Sequence, residues 1–209
     1  MAEVPPHLVV VISGPSGVGK DTLVDRLLAE HPEFSRPVTM TTRAPRPGEV
    51  DGRDYVFVTP EEFRRRIDAG ELLEHAFIYG NLYGLPRTQL EQALDRGDAV
   101  VRVDVQGVAS LRKLLPAAVY IMLVPDSFEH LERRLRGRGE AHDDADLERR
   151  VAASREELTR TDLFDHVVEN VEGDLDATIA AVIRIVADER RRVQASRHDS
   201  GCTPVGAAR

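Results

Sequence analysis

The amino-acid sequence predicts an α/β fold: a parallel sheet flanked by helices and interrupted by a small α+β insertion. Three observations carry that prediction. The apolar runs "HLVVVISG", "DAVVRVDVQG" and "AVYIMLVP" are each followed by a helical stretch, the alternation that builds parallel sheets. The first run leads into "GPSGVGKDTL", a glycine loop that opens a helix. From Ser35 to about Leu90 the composition shifts to Pro, Gly, Arg and Tyr, with short alternating runs such as "DYVFV".

The elements follow in order. "HLVVVISG" suits a strand buried on both faces. "KDTLVDRLLAEH" places Leu23, Leu27 and Leu28 on one helical face, and Pro32 marks its end. Within the insertion, "TPEEFRRRIDAG" has a helix start: Thr59 as cap, Pro60 in the first turn, Glu62 completing a capping box. Two core strands come next. "DSFEHLERRLRGRG" is a helix with Asp126 as its expected cap. After the polar "GEAHDDAD" come a helix in "LERRVAASREELTR", a short strand in "FDHVVENV" and a closing helix in "DLDATIAAVIRIVADERRR". Arginines at the helix ends read as solvated faces. The small, polar "SRHDSGCTPVGAAR" reads as a disordered tail.

Composition narrows the function classes. At 209 residues the chain holds one α/β domain with insertions, or two small domains at most. A formal charge of −8 argues against a general nucleic-acid surface, so any anion site must be a local cluster of Arg and Lys. No apolar run approaches the roughly 20 residues of a membrane helix. "MAEVPPH" has no basic start of the signal-peptide kind, so a cytoplasmic protein is expected. The single cysteine, Cys202, leaves no internal disulfide and no cysteine zinc site.

The glycine loop fits the phosphate-loop template G-x-x-x-x-G-K-[ST] through Lys20: Gly14, Pro15, Ser16, Gly17, Val18, Gly19, Lys20. Such a loop turns several backbone N–H groups toward one point at a helix N-terminus, which holds phosphate. Lys20, read as a surface loop residue, can follow charge on the β- and γ-phosphates. A P-loop NTPase-type sheet that binds a nucleoside triphosphate is the expectation. The template then asks for a hydroxyl, and the chain supplies Asp21 followed by Thr22. A carboxylate in the first turn is favoured by the helix dipole, and carboxylates are good magnesium ligands. The metal expectation is Mg2+ with the nucleotide, reached by Asp21, Thr22 or both, directly or through water.

"TMTTRAPRPGEVDGRDYVFV", Thr39 to Val58, is the most specific stretch. Arg43 and Arg46 precede a glycine-containing turn and Tyr55. Arginine forks match phosphate oxygens, and a tyrosine hydroxyl adds a donor. "ELLEHAFIYGNLYG" offers Glu74 and Tyr83. Together these stretches closely resemble the guanylate kinase family, which moves the γ-phosphoryl group of ATP to GMP or dGMP. The resemblance runs from about Leu8 to about Val186. It implies that Arg43, Arg46, Tyr55 and Tyr83 hold the GMP phosphate, while Thr39, Glu74 and Asp104 face guanine. It also implies that Arg134, Arg138 and Arg150 close over the ATP phosphates from a mobile lid. The implied layout is a P-loop core in 1–35, 92–136 and 151–196, a GMP-binding insertion in 36–91, a lid in 137–150 and a tail in 197–209.

Three positions depart from the family pattern. Asp21 replaces the usual Ser, Thr or Gly. Leu85 replaces a Ser or Thr that would contact the guanine side. Arg102 replaces an acidic residue. Two residues from Asp104, Arg102 is expected on the same strand face, pairing with Asp104 or Glu74. The competing readings are a kinase for another or modified nucleoside monophosphate and a non-catalytic guanylate-kinase-like interaction domain. Glu74 and Asp104 argue against the first, and the retained Lys20 and GMP-site arginines argue against the second.

Overall fold

The structure, a computed structural model, describes residues 7–78, 80–137 and 144–201. The chain begins with β1 (Val9–Ser13), the glycine loop, α1 (Lys20–Glu30) and β2 (Phe34–Ser35). The insertion then supplies β3 (Met40–Thr41), β4 (Val56–Phe57), α2 (Pro60–Asp68), β5 (Leu72–Ile78) and β6 (Asn81–Pro86). It leads through α3 (Arg87–Leu94) back to β7 (Asp98–Arg102), α4 (Val105–Leu114), β8 (Val119–Pro125) and α5 (Phe128–Gly137). α6 (Asp144–Leu158), β9 (His166–Asn170) and α7 (Leu175–Gly201) complete the described chain.

The main sheet has five parallel strands in the order β2-β7-β1-β8-β9. Its residues alternate between two cores, as the pleat requires. Val10, Ile12, Val100, Ile121 and Leu123 pack with Leu23, Leu27, Leu131, Val151 and Val182 on one face. Val11, Ala99, Val101 and Tyr120 pack with Leu90, Val108 and Leu111 on the other. Near-continuous apolar strands in the sequence are thus explained: helices cover both faces. Truncating one of these leucines to alanine would cost about 2–5 kcal/mol.

The insertion forms a second sheet, β4-β3-β6-β5, in which β3 and β4 are parallel and the other pairs antiparallel. Its α2 helix starts as the local chemistry requires: Thr59 Oγ1 accepts the Glu62 N–H at 3.2 Å. The reciprocal half of the capping box does not form. The Glu62 carboxylate takes the guanidinium groups of Arg65 and Arg66 instead, because a charge-assisted pair outcompetes a neutral N–H.

Three other local expectations need correction. α5 is capped by Ser127, whose hydroxyl accepts the His130 N–H at 3.1 Å; Asp126 lies one residue earlier and accepts the Ser127 and Glu172 N–H groups. α7 continues through residues 197–201, expected in the tail, since no proline or early glycine interrupts it. Residues 202–209 lie outside the described residues. Arg190 is not merely a solvated helix-end charge. It pairs with the fully buried Asp98, which also accepts the Leu8 N–H at 2.9 Å and so clamps α7 and β1 to β7.

Candidate active site

β1 and β7 run side by side in parallel, with Ile12 opposite Arg102. Their carboxyl ends therefore open at the same edge, where open α/β sheets bind ligands. The glycine loop leaves β1 there. Gly14 and Gly19 have φ of 144° and 103°, the left-handed side that suits glycine. A Cβ on Gly14 would sit 2.4 Å from the Leu123 carbonyl oxygen, and one on Gly19 would sit 2.6 Å from Asn170 Nδ2. Gly19 is also the α1 cap residue and offers no side-chain oxygen, so the first N–H groups of α1 stay available to an anion.

Lys20 is not a surface residue. Only 6% exposed, it folds back so that Nζ donates to the carbonyls of Gly14 at 2.5 Å and Pro15 at 3.1 Å. Burial lowers its pKa, opposed by the Asp104 carboxylate 3.5 Å away. Asp104 occupies the cap position of α4, where an Asp ordinarily accepts an N–H of the first turn. It makes no such side-chain bond; its carboxylate is turned to Lys20.

Arg102 ends β7, whereas Asp104 lies beyond the strand, so strand alternation does not place the two on one face. Arg102 Nε instead lies 3.0 Å from Asp21 Oδ1. Glu74, on β5, is half-buried near α4, with its Oε2 3.5 Å from where a Cβ on Gly107 would stand. Burial pushes the Glu74 carboxyl up to about 7; Asp104 adds to the rise and Arg102 opposes it. Its cross-strand partner is Leu85, only 2% exposed, an apolar neighbour that helps to dry the carboxylate.

A second candidate anion site lies in the insertion. Arg43 donates to both oxygens of Glu49, at 2.7 and 2.9 Å, and lies 5.3 Å from the Tyr55 ring centroid. The Glu49 carboxylate also accepts the Arg46 N–H at 2.7 Å, while the Arg46 side chain is exposed. Tyr55 and Tyr83 meet edge to face, with centroids 6.1 Å apart. Thr39 is half-buried just before β3, its carbonyl taking the Val56 N–H. Arg43, Arg46, Tyr55 and Tyr83 are thus gathered in one part of the insertion, around a carboxylate that the sequence reading did not single out. Glu49 was visible in "RPGEV" only as a turn residue.

On the α7 side of the loop is a cleft of about 560 Å3, lined by Gly17, Gly19, Thr22, Arg134, Asn170 and Asp176 among others. It lies beside the loop, and neither Lys20 nor Asp104 lines it. Asn170, at the carboxyl end of β9, donates to the Val18 carbonyl at 2.7 Å and accepts from Thr178 at 2.9 Å, which fixes the loop from behind. Arg134 is within 3.8 Å of Glu172. Arg150, on α6, pairs with Asp146 at 3.3 Å. Arg138 lies outside the described residues. Glu157 of α6 was also missed in the sequence: burial raises its pKa, while Lys20 and the Ser16 N–H hold it partly down.

Asp21 and Thr22 sit next to each other in the first turn of α1, both exposed. Two oxygen donors with phosphate oxygens and water to complete the shell suit magnesium, which keeps few protein ligands. Among the described residues no group of three or more His, Cys, Asp or Glu could hold a metal alone. A metal here would therefore arrive with the nucleotide.

The comparisons with known proteins agree. The sequence model of the family described as guanylate kinase matches residues 7–189. The chain is 46% identical over 195 residues to guanylate kinase 2, chloroplastic/mitochondrial, of Oryza sativa subsp. japonica, covering 92% of this chain and 68% of that protein. It is 46% identical over 181 residues to the guanylate kinase of Corynebacterium efficiens, covering 85% and 94%. A crystal structure of guanylate kinase from Anaplasma phagocytophilum superimposes with a TM-score of 0.68 at 31% identity, covering 90% of this chain and 88% of that one. A match of this extent means that the chain belongs to the guanylate kinase family.

Proposed function

We propose that the protein transfers the γ-phosphoryl group of ATP to GMP or dGMP, giving ADP and GDP or dGDP. The observation that carries this reading is the meeting at one sheet edge of Lys20 with Asp104, beside the half-buried Glu74. It joins a triphosphate loop to carboxylates suited to a purine carrying N–H donors. Guanine presents N1–H and N2–H2 on one edge, and adenine lacks that edge.

In the proposed reaction a GMP phosphate oxygen attacks the γ-phosphorus of ATP. The bond between that phosphorus and its β-bridging oxygen breaks, and ADP leaves with the electron pair. This chemistry needs positioning and charge neutralisation more than a covalent catalyst. The N–H groups of Gly17, Gly19 and Lys20 would cradle the phosphates, with Lys20 following the migrating charge. Arg43, Arg46, Tyr55 and Tyr83 would hold the GMP phosphate; Arg43 would exchange Glu49 for it. Thr39, Glu74 and Asp104 would face guanine. Arg134 and Arg150, with Arg138 assigned by sequence resemblance alone, would close over ATP and keep water from competing as acceptor. Asp21, Thr22 or both would hold magnesium together with the nucleotide, and the ion would supply further neutralisation of phosphate charge.

The proposal includes a cytoplasmic setting and no nucleic-acid or membrane partner. The net charge of −8 supports the second point. Among the described residues no helix is long and apolar enough to cross a membrane. The test is product stoichiometry: incubation with ATP, magnesium and GMP should yield GDP and ADP in equal amounts. ADP release without GDP would overturn the assignment of the acceptor.

A further inference from the structure

Asp21 and Arg102 are far apart in sequence, and each is anomalous there taken alone. The fold brings them into contact at 3.0 Å. The contact follows from topology: β1 and β7 are parallel neighbours, so the last residue of β7 lies beside the loop and first helical turn that follow β1. The pair is not a loose surface contact. The Arg102 side chain is about two-thirds buried, at 32% exposure, and projects from the end of a core strand. Asp21, at 58%, faces the open side where nucleotide phosphates would sit. One guanidinium nitrogen meets Asp21, and the planar fork leaves further N–H donors for another oxygen. The charge of Arg102 also reaches inward, opposing the charged form of Lys20 and favouring that of Glu74. Its charge is thus felt by both the loop lysine and Glu74.

A bare carboxylate beside a triphosphate is repulsive, and either a bound metal or a fixed cation can reverse that sign. We propose that Asp21 and Arg102 act as one unit. In it Arg102 is a positioning residue that neutralises Asp21 and supplies part of the phosphate counter-charge, so that nucleotide binds the loop even without divalent cation. This rests on the reading of the loop as the ATP site. The metal and Arg102 then perform overlapping work, and loss of Arg102 matters most when the metal is withheld.

The experiment is calorimetric titration of the full chain with ADP, in EDTA and in magnesium, with thermal melts to show that each variant is folded. Arg102→Gln should weaken ADP binding in EDTA on the order of tenfold to a hundredfold, the usual range for losing a charge-assisted contact. In magnesium the loss should be no more than about threefold, the order of one weak contact. Arg102→Lys should retain most metal-free binding. In the Asp21→Thr background, Arg102→Gln should have a smaller effect in EDTA, because only its share of the phosphate counter-charge remains to be lost. Equal losses with and without magnesium, or an undiminished effect of Arg102→Gln in the Asp21→Thr background, would overturn the inference and leave the pair as a structural contact. No ADP binding by the unmodified chain in either buffer would overturn the nucleotide-site reading itself, and the inference with it.

Discussion

The two candidate anion sites are built differently. The phosphate loop is made by backbone: positive-φ glycines packed against the Leu123 carbonyl and Asn170, and a lysine folded onto loop carbonyls. The insertion cluster is made by side chains held by other side chains: Arg43 on Glu49, Tyr55 against Tyr83. A backbone cradle takes any phosphate and fails abruptly when its geometry is lost. A side-chain cluster encodes which ligand enters, and each member can be weakened separately.

Changes that break the first cluster should have the largest effects. Lys20→Met should lower kcat by at least ~10²–10³-fold, the scale for removing one preorganised charge-stabilising group. Stability should fall modestly, by about 1–3 kcal/mol, because the Gly14 and Pro15 carbonyls lose a buried partner. Steady-state kinetics with a thermal melt checks both. Near-normal turnover would mean that the loop does not serve phosphoryl transfer.

Arg43→Ala should act on one substrate only. Losing its charge-assisted bond corresponds to roughly 1.5–3 kcal/mol, or about tenfold to 150-fold in KM for GMP. KM for ATP should hardly move. Equal changes for both substrates would erase the proposed division of labour between the clusters.

A smaller effect concerns pH. Glu74 has its pKa raised to about 7, chiefly by burial. Only the ionised carboxylate can accept both guanine N–H donors, so lowering the pH through 7 removes the acceptor and weakens GMP. Between pH 8 and pH 6 the ionised fraction falls about tenfold, and KM for GMP should rise by about that factor. Glu74→Gln should abolish this component while keeping any contribution from the phosphate of GMP itself, so the difference between the two profiles is the readout. The same raised pKa has a stability consequence. A carboxyl whose folded pKa lies above its unfolded value stabilises fully below the unfolded pKa, and that contribution is lost as pH rises through about 7. The smallest effect should come from Leu85→Thr. A hydroxyl opposite Glu74 would partly resolvate it and shift the midpoint of the GMP profile downward by less than one unit.

The same contrast explains what could be read in the sequence. Features set by neighbours in the chain were legible: the glycine loop, the Thr59 cap of α2 and the apolar strands of the parallel core. So was the Arg43–Tyr55 motif, since its spacing is local. Features set by strand order were not. The Asp21–Arg102 contact depends on β7 lying beside β1, and composition carries no trace of that pairing. The sequence suggested Asp104 or Glu74 as the partner of Arg102, because alternation was extended past the end of β7. Glu49 and Glu157 look like ordinary polar residues of a turn and a helix until the fold turns them to Arg43 and toward Lys20. Asn170 gave one usable signal, a polar residue closing an apolar strand at the ligand-binding edge.

Base selection follows most directly from the carboxylate side of the proposed site. The decisive measurement is kcat/KM for GMP and AMP, compared under ATP and magnesium with the unmodified protein. Placing adenine against Glu74 and Asp104 leaves charged acceptors unpaired, and sites built to hydrogen-bond a missing group reject it strongly. GMP should therefore exceed AMP by about 10² or more. Comparable values for the two would contradict the guanine assignment and make the protein a kinase of another nucleoside monophosphate on the same scaffold.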